Sequence, residues 1–236
     1  MYGRLIFAVI SSVICDSPDH WLCFATITLA VIGYLITGPC EQRVAAFDEG
    51  VRVATRSLAS PVLTSLLKVV TKSGSTLVLT IVGTGAVFVF LWLSWKREVV
   101  LLLVGMVGQI FLHEGFKFLI ERPRPPVPFE YVVDDSYSFP SGHALASACL
   151  YGILAMCIAH RMRSKGKAVA IWTTAILLVL LIGFSRVYFN VHYASDVGAG
   201  FLAAIIWTAA IASGETARDQ LAVSPLQSTF DYSIFL

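Results

Sequence analysis

The segment at residues 99–120, which reads VVLLLVGMVGQIFLHEGFKFLI, decides the fold class of this chain. A transmembrane α-helix needs about 20 consecutive, predominantly apolar residues, and this segment reaches that length. A helix satisfies its own backbone hydrogen bonds, which is the condition for crossing lipid as a single segment. The segment therefore predicts a membrane-spanning helix.

The chain as a whole has the same character, because it is 57% hydrophobic and only 14% charged, with a mean hydropathy of +0.78. A soluble domain usually carries about 25% charged residues. We predict an all-α fold, a polytopic membrane bundle of about six transmembrane helices in a single domain over residues 1–236. The net charge of +2 is too small to indicate a nucleic-acid partner. The predicted spans are residues 21–38, 76–95, 99–120, 144–158, 168–184 and 197–212.

The basic connections at residues 96–97 and 161–167 indicate the orientation. Short loops rich in lysine and arginine stay in the cytoplasm. An even number of helices then places both termini there, including the tail at residues 215–236. Residues 39–75 alternate basic and apolar side chains, which predicts an amphipathic helix on the membrane surface.

A first polar cluster, with Lys117, Arg122 and Arg124, follows the third predicted span. Pro123 and Pro125 disfavour helix in the residue before each of them, so the arginines are predicted in an extended segment. Taken alone, the cluster is also typical of cations that end a membrane helix and extend toward the interface.

A second cluster, Ser141, Gly142 and His143, lies at the predicted start of the fourth helix. The free N–H groups and the dipole of a helix N-terminus favour a bound anion. A capped helix with a surface histidine is the alternative explanation.

A third cluster contains Arg186, His192 and Asp196, between the fifth and sixth spans. If this stretch is helical, the spacing of four residues places His192 and Asp196 on one face. A carboxylate on one ring nitrogen leaves the other nitrogen free to attack an electrophile. A helix-capping ion pair is the alternative, and it explains the arginine less well.

Together the clusters supply three cations (Lys117, Arg124 and Arg186), a helix N-terminus, two histidines and a carboxylate. Phosphoryl transfer needs cations around the phosphate oxygens, a nucleophile in line with the leaving oxygen, and a proton donor for that oxygen. Two histidines and an aspartate could also bind zinc, but the surrounding cations would repel it. No metal or cofactor is therefore predicted.

The three clusters resemble, complete and in order, the signature motifs of the type 2 phosphatidic acid phosphatase superfamily, in its membrane lipid phosphatase branch. The superfamily includes bacterial lipid phosphatases, glucose-6-phosphatase and vanadium haloperoxidases. The resemblance covers residues 117–200, and the first half of the chain matches only in general layout. The matching segments are Lys117-x6-Arg124-Pro125, Pro140-Ser-Gly-His143 and Ser185-Arg186-x5-His192-x3-Asp196.

The resemblance implies a role for each motif residue. His192 would attack phosphorus and form a phosphohistidine, Asp196 would orient it, and His143 would protonate the leaving oxygen and then activate water. His113 and Glu114 lie outside the motifs. Glu114 is placed to pair with Lys117 three residues later on the helix, and buried structural polarity is the alternative explanation. The residues implied to bind the phosphate oxygens are Lys117, Arg124, Ser141, Gly142 and Arg186.

The resulting expectation is a metal-independent lipid phosphatase in a bacterial inner membrane, with its active site on the periplasmic side. Its partners would be the lipid phosphate substrate and the surrounding membrane lipids. Candidate substrates are undecaprenyl diphosphate, phosphatidylglycerol phosphate, phosphatidic acid and a lipid A phosphate. The alternatives are a lipid phosphotransferase and a non-enzymatic transporter of anions or lipids. Neither the substrate nor the oligomeric state follows from the sequence.

Overall fold

The structure, a computed structural model, describes residues 20–126 and 137–228. The chain in these two ranges forms α-helices joined by short connections, with no β-strand. Residues 127–136, half of the predicted loop at residues 121–140, and residues 229–236 of the predicted tail lie outside them. The helices are α1 (His20–Thr37), α2 (Glu41–Ser57), α3 (Pro61–Lys72), α4 (Thr76–Trp92), α5 (Lys96–Ile120), α6 (Gly142–His160), α7 (Lys165–Tyr188) and α8 (Ala194–Ser228).

The predicted all-helical membrane bundle is confirmed. In the described part of the chain, α5, α6, α7 and the segment Ala194–Ala212 of α8 are long and apolar enough to cross a membrane, and α2 with α3 would make a fifth span if they formed one bent unit. The sequence-based prediction of about six spans includes α1 and α4 and does not include α2 and α3. α4 is apolar but has only 17 residues. The last helix continues to Ser228, beyond the predicted end of the sixth span at residue 212.

Serine side chains fix where several helices begin. Ser60 accepts a hydrogen bond from the Leu63 N–H ahead of α3, and Ser75 accepts one from the Val78 N–H ahead of α4. Each satisfies one of the N–H groups that the first helical turn leaves unpaired. α5, α6 and α7 run alternately up and down through the bundle, with a long connection between α5 and α6 and a short one between α6 and α7.

α6 is the centre of the bundle and packs against α4, α5, α7 and α8. Small residues allow neighbouring helices to approach closely, as is typical of membrane bundles. A Cβ atom on Gly108 of α5 would lie 2.0 Å from the Trp207 ring of α8, and the Trp207 indole N–H donates to the Gly105 carbonyl at 3.0 Å. Glycine at position 108 is therefore what lets α5 and α8 come together.

The outer face of the bundle is apolar. Trp92, Phe111 and Phe118 are 85%, 74% and 78% exposed. A continuous apolar surface of this kind is rare on a soluble monomer and suits contact with lipid chains. The ionisable residues that the spanning helices do contain lie mainly near their ends.

Residues 39–75 form two helices, not the single amphipathic helix predicted on the membrane surface. α2 and α3 meet at a bend of 120°. Thr64 of α3 lies 2.6 Å from the Tyr188 hydroxyl at the end of α7. Asp48 of α2, only 3% exposed, contacts the start of α8. The pair thus packs over one end of the bundle, because polar side chains on its inner face bind the ends of α7 and α8.

Candidate active site

The three sequence clusters meet at the end of the bundle that α2 and α3 cover. The Arg124 guanidinium donates to the Val191 carbonyl at 2.9 Å, which joins the first cluster to the third. The Ser141 N–H donates to the Asp196 carbonyl at 3.2 Å, which joins the second cluster to the third. The C-terminal ends of α5 and α7 and the N-terminal ends of α6 and α8 therefore bring all the predicted site residues to one place.

His192 lies in the turn before α8 and is 4% exposed. Its Nδ1 lies 2.8 Å from the Ser138 carbonyl oxygen. A carbonyl only accepts, so Nδ1 carries the proton in the neutral ring. The other nitrogen, Nε2, then presents a lone pair and accepts from the Arg124 guanidinium at 3.2 Å. The ring is held in one tautomer, with Nε2 as its nucleophilic atom.

The surroundings of His192 keep its imidazole neutral. Burial lowers the pKa of His192 to about 4, and the nearby Arg124 and Arg186 lower it as well, while Asp196 acts in the opposite direction. A neutral ring at ordinary pH is the form that can attack an electrophile. The local chemistry therefore suits a nucleophile.

Asp196 is fully buried in the first turn of α8. Its Oδ2 lies 3.8 Å from His192 Nδ1, which exceeds a hydrogen bond. Ser138 bridges the two, because its carbonyl accepts from the ring and its hydroxyl donates to Asp196 Oδ2 at 2.5 Å. His192 and Asp196 therefore do not share a helical face as predicted, since α8 begins only at Ala194. Ser138, two residues before Pro140, is a site residue that the motif spacing did not indicate.

A buried ion-pair network surrounds Asp196. Arg122 donates to Asp196 Oδ1 at 2.5 Å and to Asp48 Oδ2 at 2.8 Å. Asp48 also accepts from the Ser195 N–H at 2.9 Å and from the Ser195 hydroxyl at 2.7 Å. The Arg122 guanidinium lies 4.1 Å from the centre of the Tyr193 ring, a distance that permits a cation–π contact.

Burial by itself would lower the pKa of Arg122, but Asp196 and Asp48 outweigh it and raise the pKa. Arg122 is therefore a fixed cation between two carboxylates. Arg122 was predicted only as an accessory cation of the first cluster, and Asp48 was not predicted. Asp48 is one of three acidic residues in the segment 39–75, with Glu41 and Glu49, and no local pattern distinguishes it.

The N-terminus of α6 faces the same region. Ser141, its N-cap residue, is fully buried, and its hydroxyl has no hydrogen-bond partner within the described part of the chain. A buried hydroxyl of this kind, beside free backbone N–H groups, is ready to bind an anion. A Cβ atom on Gly200 of α8 would lie 3.0 Å from the Ser141 carbonyl oxygen. This close approach holds α8 against the start of α6.

A cavity of about 610 Å³ opens beside these groups. Its catalytic end contains His143 and His192 together with three cations, Lys117, Arg124 and Arg186. The Arg186 guanidinium also donates to the Thr71 hydroxyl of α3 at 3.0 Å. A second cavity of about 430 Å³, between α6, α7 and α8, is almost wholly apolar and contains none of the predicted site residues. The larger cavity is therefore the candidate active site.

His113 and Glu114 also line the larger cavity. His113 Nδ1 lies 2.9 Å from a Glu114 carboxylate oxygen. A Cβ atom on Gly142 would lie 2.6 Å from His113 Nε2, so the ring sits against the start of α6. The two residues are thus a local pair beside the site.

Known proteins resemble this chain in sequence and in fold. The model of the PAP2 superfamily matches residues 98–219, which include all three polar clusters. The chain is 33% identical to phosphatidylglycerophosphatase B of Bacillus subtilis (strain 168) over 158 residues, which cover 65% of this chain and 76% of that protein.

Two solved structures resemble the fold. The first is the transmembrane PAP2-type phosphatidylglycerolphosphate phosphatase from Bacillus subtilis, with a TM-score of 0.68 and 25% identity, covering 83% of this chain and 96% of that one. The second is LpxE from Aquifex aeolicus, whose fold is similar with a TM-score of 0.54 at 23% identity, covering 70% of this chain and 93% of that one. The match over more than half of the chain, together with the shared fold, shows that this chain is an integral membrane phosphatase of the PAP2 superfamily.

Proposed function

We propose that this chain hydrolyses the phosphate monoester of a phospholipid, namely phosphatidylglycerophosphate, through a phosphohistidine intermediate and without a metal ion. The observation that carries the proposal is the environment of His192. Its ring is fixed in one tautomer, and Nε2 lies beside Arg124 in a cavity that also contains Lys117, Arg186 and His143. The choice of lipid is supported by the relatives named phosphatidylglycerophosphatase.

In the first step, the Nε2 lone pair of His192 attacks phosphorus. The bond between phosphorus and the lipid oxygen breaks, and that oxygen takes a proton from His143 as it leaves. The ring becomes positively charged, and its Nδ1–H stays bonded to the Ser138 carbonyl, with Asp196 at 3.8 Å to offset the charge. The arrangement orients the nucleophile and stabilises its product.

In the second step, water attacks the phosphohistidine while His143 accepts its proton. The bond between phosphorus and Nε2 breaks, which releases inorganic phosphate and restores neutral His192. Charge on the phosphate oxygens is stabilised throughout by preorganised donors, the main source of catalysis in phosphoryl transfer. These donors are Lys117, Arg124, Arg186, the Ser141 hydroxyl and the N–H groups at the start of α6, including that of Gly142.

The proposed orientation follows from the opposite end of the bundle. Arg161, at the end of α6, pairs with Glu98 near the start of α5 and lies 4.7 Å from the Trp95 ring. The basic residues 161–167 therefore gather at the end away from the site, and basic loops stay in the cytoplasm. The site would open on the periplasmic side, with both termini in the cytoplasm.

A lipid substrate suits this position, because its chains can stay in the bilayer while its phosphate enters the cavity. Each buried CH₂ group contributes about 0.8 kcal/mol to such anchoring, and a soluble phosphate ester gains none of it. We therefore expect kcat/KM to be higher for a long-chain phospholipid phosphate than for glucose 6-phosphate.

The test is phosphate release by the purified protein from phosphatidylglycerophosphate, phosphatidic acid, undecaprenyl diphosphate, a lipid A phosphate and glucose 6-phosphate, with His192→Ala as the inactive control. We expect phosphatidylglycerophosphate to give the highest kcat/KM. Equal turnover of the sugar phosphate would refute the lipid assignment. Phosphate appearing on a second lipid would identify a phosphotransferase, and binding without turnover would identify a carrier.

A further inference from the structure

A polar stripe runs along α5 away from the catalytic end. Gln109, His113 and Lys117 are spaced by four residues, so they share one face of the helix, and all three line the 610 Å³ cavity. Gln109 lies eight residues before Lys117, or about 12 Å along the helix axis. It is 6% exposed and near the middle of the span. Polar side chains at this depth in a membrane helix usually mark a substrate path.

A second wall of the cavity, formed by α4, is polar as well. α4 contributes Thr76 at its first turn and Thr80 four residues later, and both line the same cavity. The lining of the cavity also includes four apolar residues, Leu79, Met106, Ile110 and Ala146. The part of the cavity beyond the three cations can therefore offer hydrogen bonds from α4 and from α5, and it can still accommodate hydrocarbon chains.

The volume of the cavity exceeds what a phosphate group requires. About 610 Å³ is in the middle of the range for sites that enclose a drug-sized ligand. A phosphate group has only five heavy atoms. The remaining space is lined by the polar stripe and is large enough for a further part of the substrate.

His113 links the cations to this space. The Glu114 carboxylate only accepts, so Nδ1 of His113 carries the proton toward it at 2.9 Å. In the neutral ring Nε2 is then an acceptor, and it lies against the start of α6 next to Gly142. An acceptor at this position suits a hydroxyl group on the atoms adjacent to the reacting phosphate.

We propose that Thr76, Thr80, Gln109 and His113 form a headgroup subsite for a hydroxylated, glycerol-like segment between the reacting phosphate and the lipid chains. This inference rests on the proposed lipid phosphatase function and specifies its substrate class. A site built to hydrogen-bond a substrate rejects analogues that lack the matching groups, because a buried polar side chain such as Gln109 is then left unpaired. Lipids whose diacylglycerol or prenyl chain begins directly at the phosphate are such analogues.

The experiment measures kcat/KM of the purified full-length protein for phosphatidylglycerophosphate and for phosphatidic acid with identical acyl chains. The variants are Gln109→Leu and Thr80→Val, and the matched control is Thr174→Val on the exposed face of α7. We expect the wild type to prefer phosphatidylglycerophosphate. Each subsite variant should reduce the preference by about threefold to tenfold, as the loss of one or two hydrogen bonds would, while the control preserves it.

The design separates this inference from the function on which it rests. If the wild type releases phosphate from neither lipid, the proposed function fails. If it hydrolyses both lipids equally, or if both subsite variants keep the wild-type preference, the headgroup subsite is refuted. Thermal unfolding in detergent identifies a variant that has lost its fold, and Thr80→Val provides the second measurement if Gln109→Leu does so.

Discussion

Asp48→Ala removes the carboxylate that ties α2 to the catalytic end of the bundle. Asp48 accepts three hydrogen bonds, from the Arg122 guanidinium at 2.8 Å and from the Ser195 N–H and hydroxyl at 2.9 and 2.7 Å. The side chains of Asp48 and Arg122 are 1% and 12% exposed. Solvent therefore cannot replace these bonds once the carboxylate is gone.

The expected loss of stability follows from this burial. Breaking a buried ion pair by removing one partner typically costs about 3–5 kcal/mol. Arg122 keeps its second partner, Asp196, so the lower end of that range applies, about 3 kcal/mol. For a chain of this size, this corresponds to a decrease of about 10 °C in Tm. The variant should also reduce kcat, because Arg122 and Ser195 position Asp196 beside His192, the proposed nucleophile.

The assay is thermal unfolding of the purified protein in detergent, combined with kcat/KM for the preferred lipid. The matched control is Glu49→Ala, since Glu49 is the next residue of α2 and pairs with Arg52 on the exposed surface. The control should keep both Tm and activity, because exposed ion pairs contribute little. Asp48→Asn, which keeps one oxygen acceptor, should lie between the two. If Asp48→Ala matched Glu49→Ala in both measurements, the network would have no role in stability or catalysis.

Four further predictions follow from the site. His192→Ala should reduce phosphate release at least about a thousandfold with Tm near wild type, and substantial remaining turnover would exclude His192 as nucleophile. As the pH is lowered, kcat/KM should decrease near pH 4 and not near pH 6.5. The reason is that His192, the proposed nucleophile, is neutral above its pKa of about 4 and protonated below it. Activity should survive EDTA and be inhibited by vanadate, a mimic of the five-coordinate transition state; loss on chelation that zinc or magnesium restores would contradict this. In a variant without the five native cysteines, a cysteine at Ser164 should label only from the cytoplasm and one at Glu121 only from outside.

The sequence was sufficient to predict the helices that contain the site. The apolar segments predicted α5, α6 and α7 with small errors at their ends, because membrane spans must be long and apolar. Polar residues within or beside such spans stand out, so Lys117, His143, Arg186 and Asp196 could be identified directly. The proline-rich segment after Ile120 also indicated correctly that α5 ends there.

The supporting residues could not be predicted in the same way. Ser138 acts through its carbonyl as much as through its hydroxyl, and any residue has a carbonyl. Asp48 lies in a segment whose alternation of basic and apolar residues predicted a surface helix, and only the bend between α2 and α3 turns it inward. Which partner a buried charge finds depends on tertiary packing, and no local pattern records it.

The distribution of charge around His192 explains why this network exists. On the Nδ1 side, Asp48, Arg122 and Asp196 form a cluster of two carboxylates and one guanidinium, with a net formal charge of −1. On the Nε2 side, the cavity is lined by cations. Under the proposed mechanism the ring becomes positive while the transferred phosphate stays negative, so each charge faces its opposite. Arg122 reduces the charge repulsion between the two buried carboxylates, and the cluster as a whole stays negative. Arg122→Met should therefore be more harmful than Asp48→Ala, because it leaves both carboxylates buried without their cation.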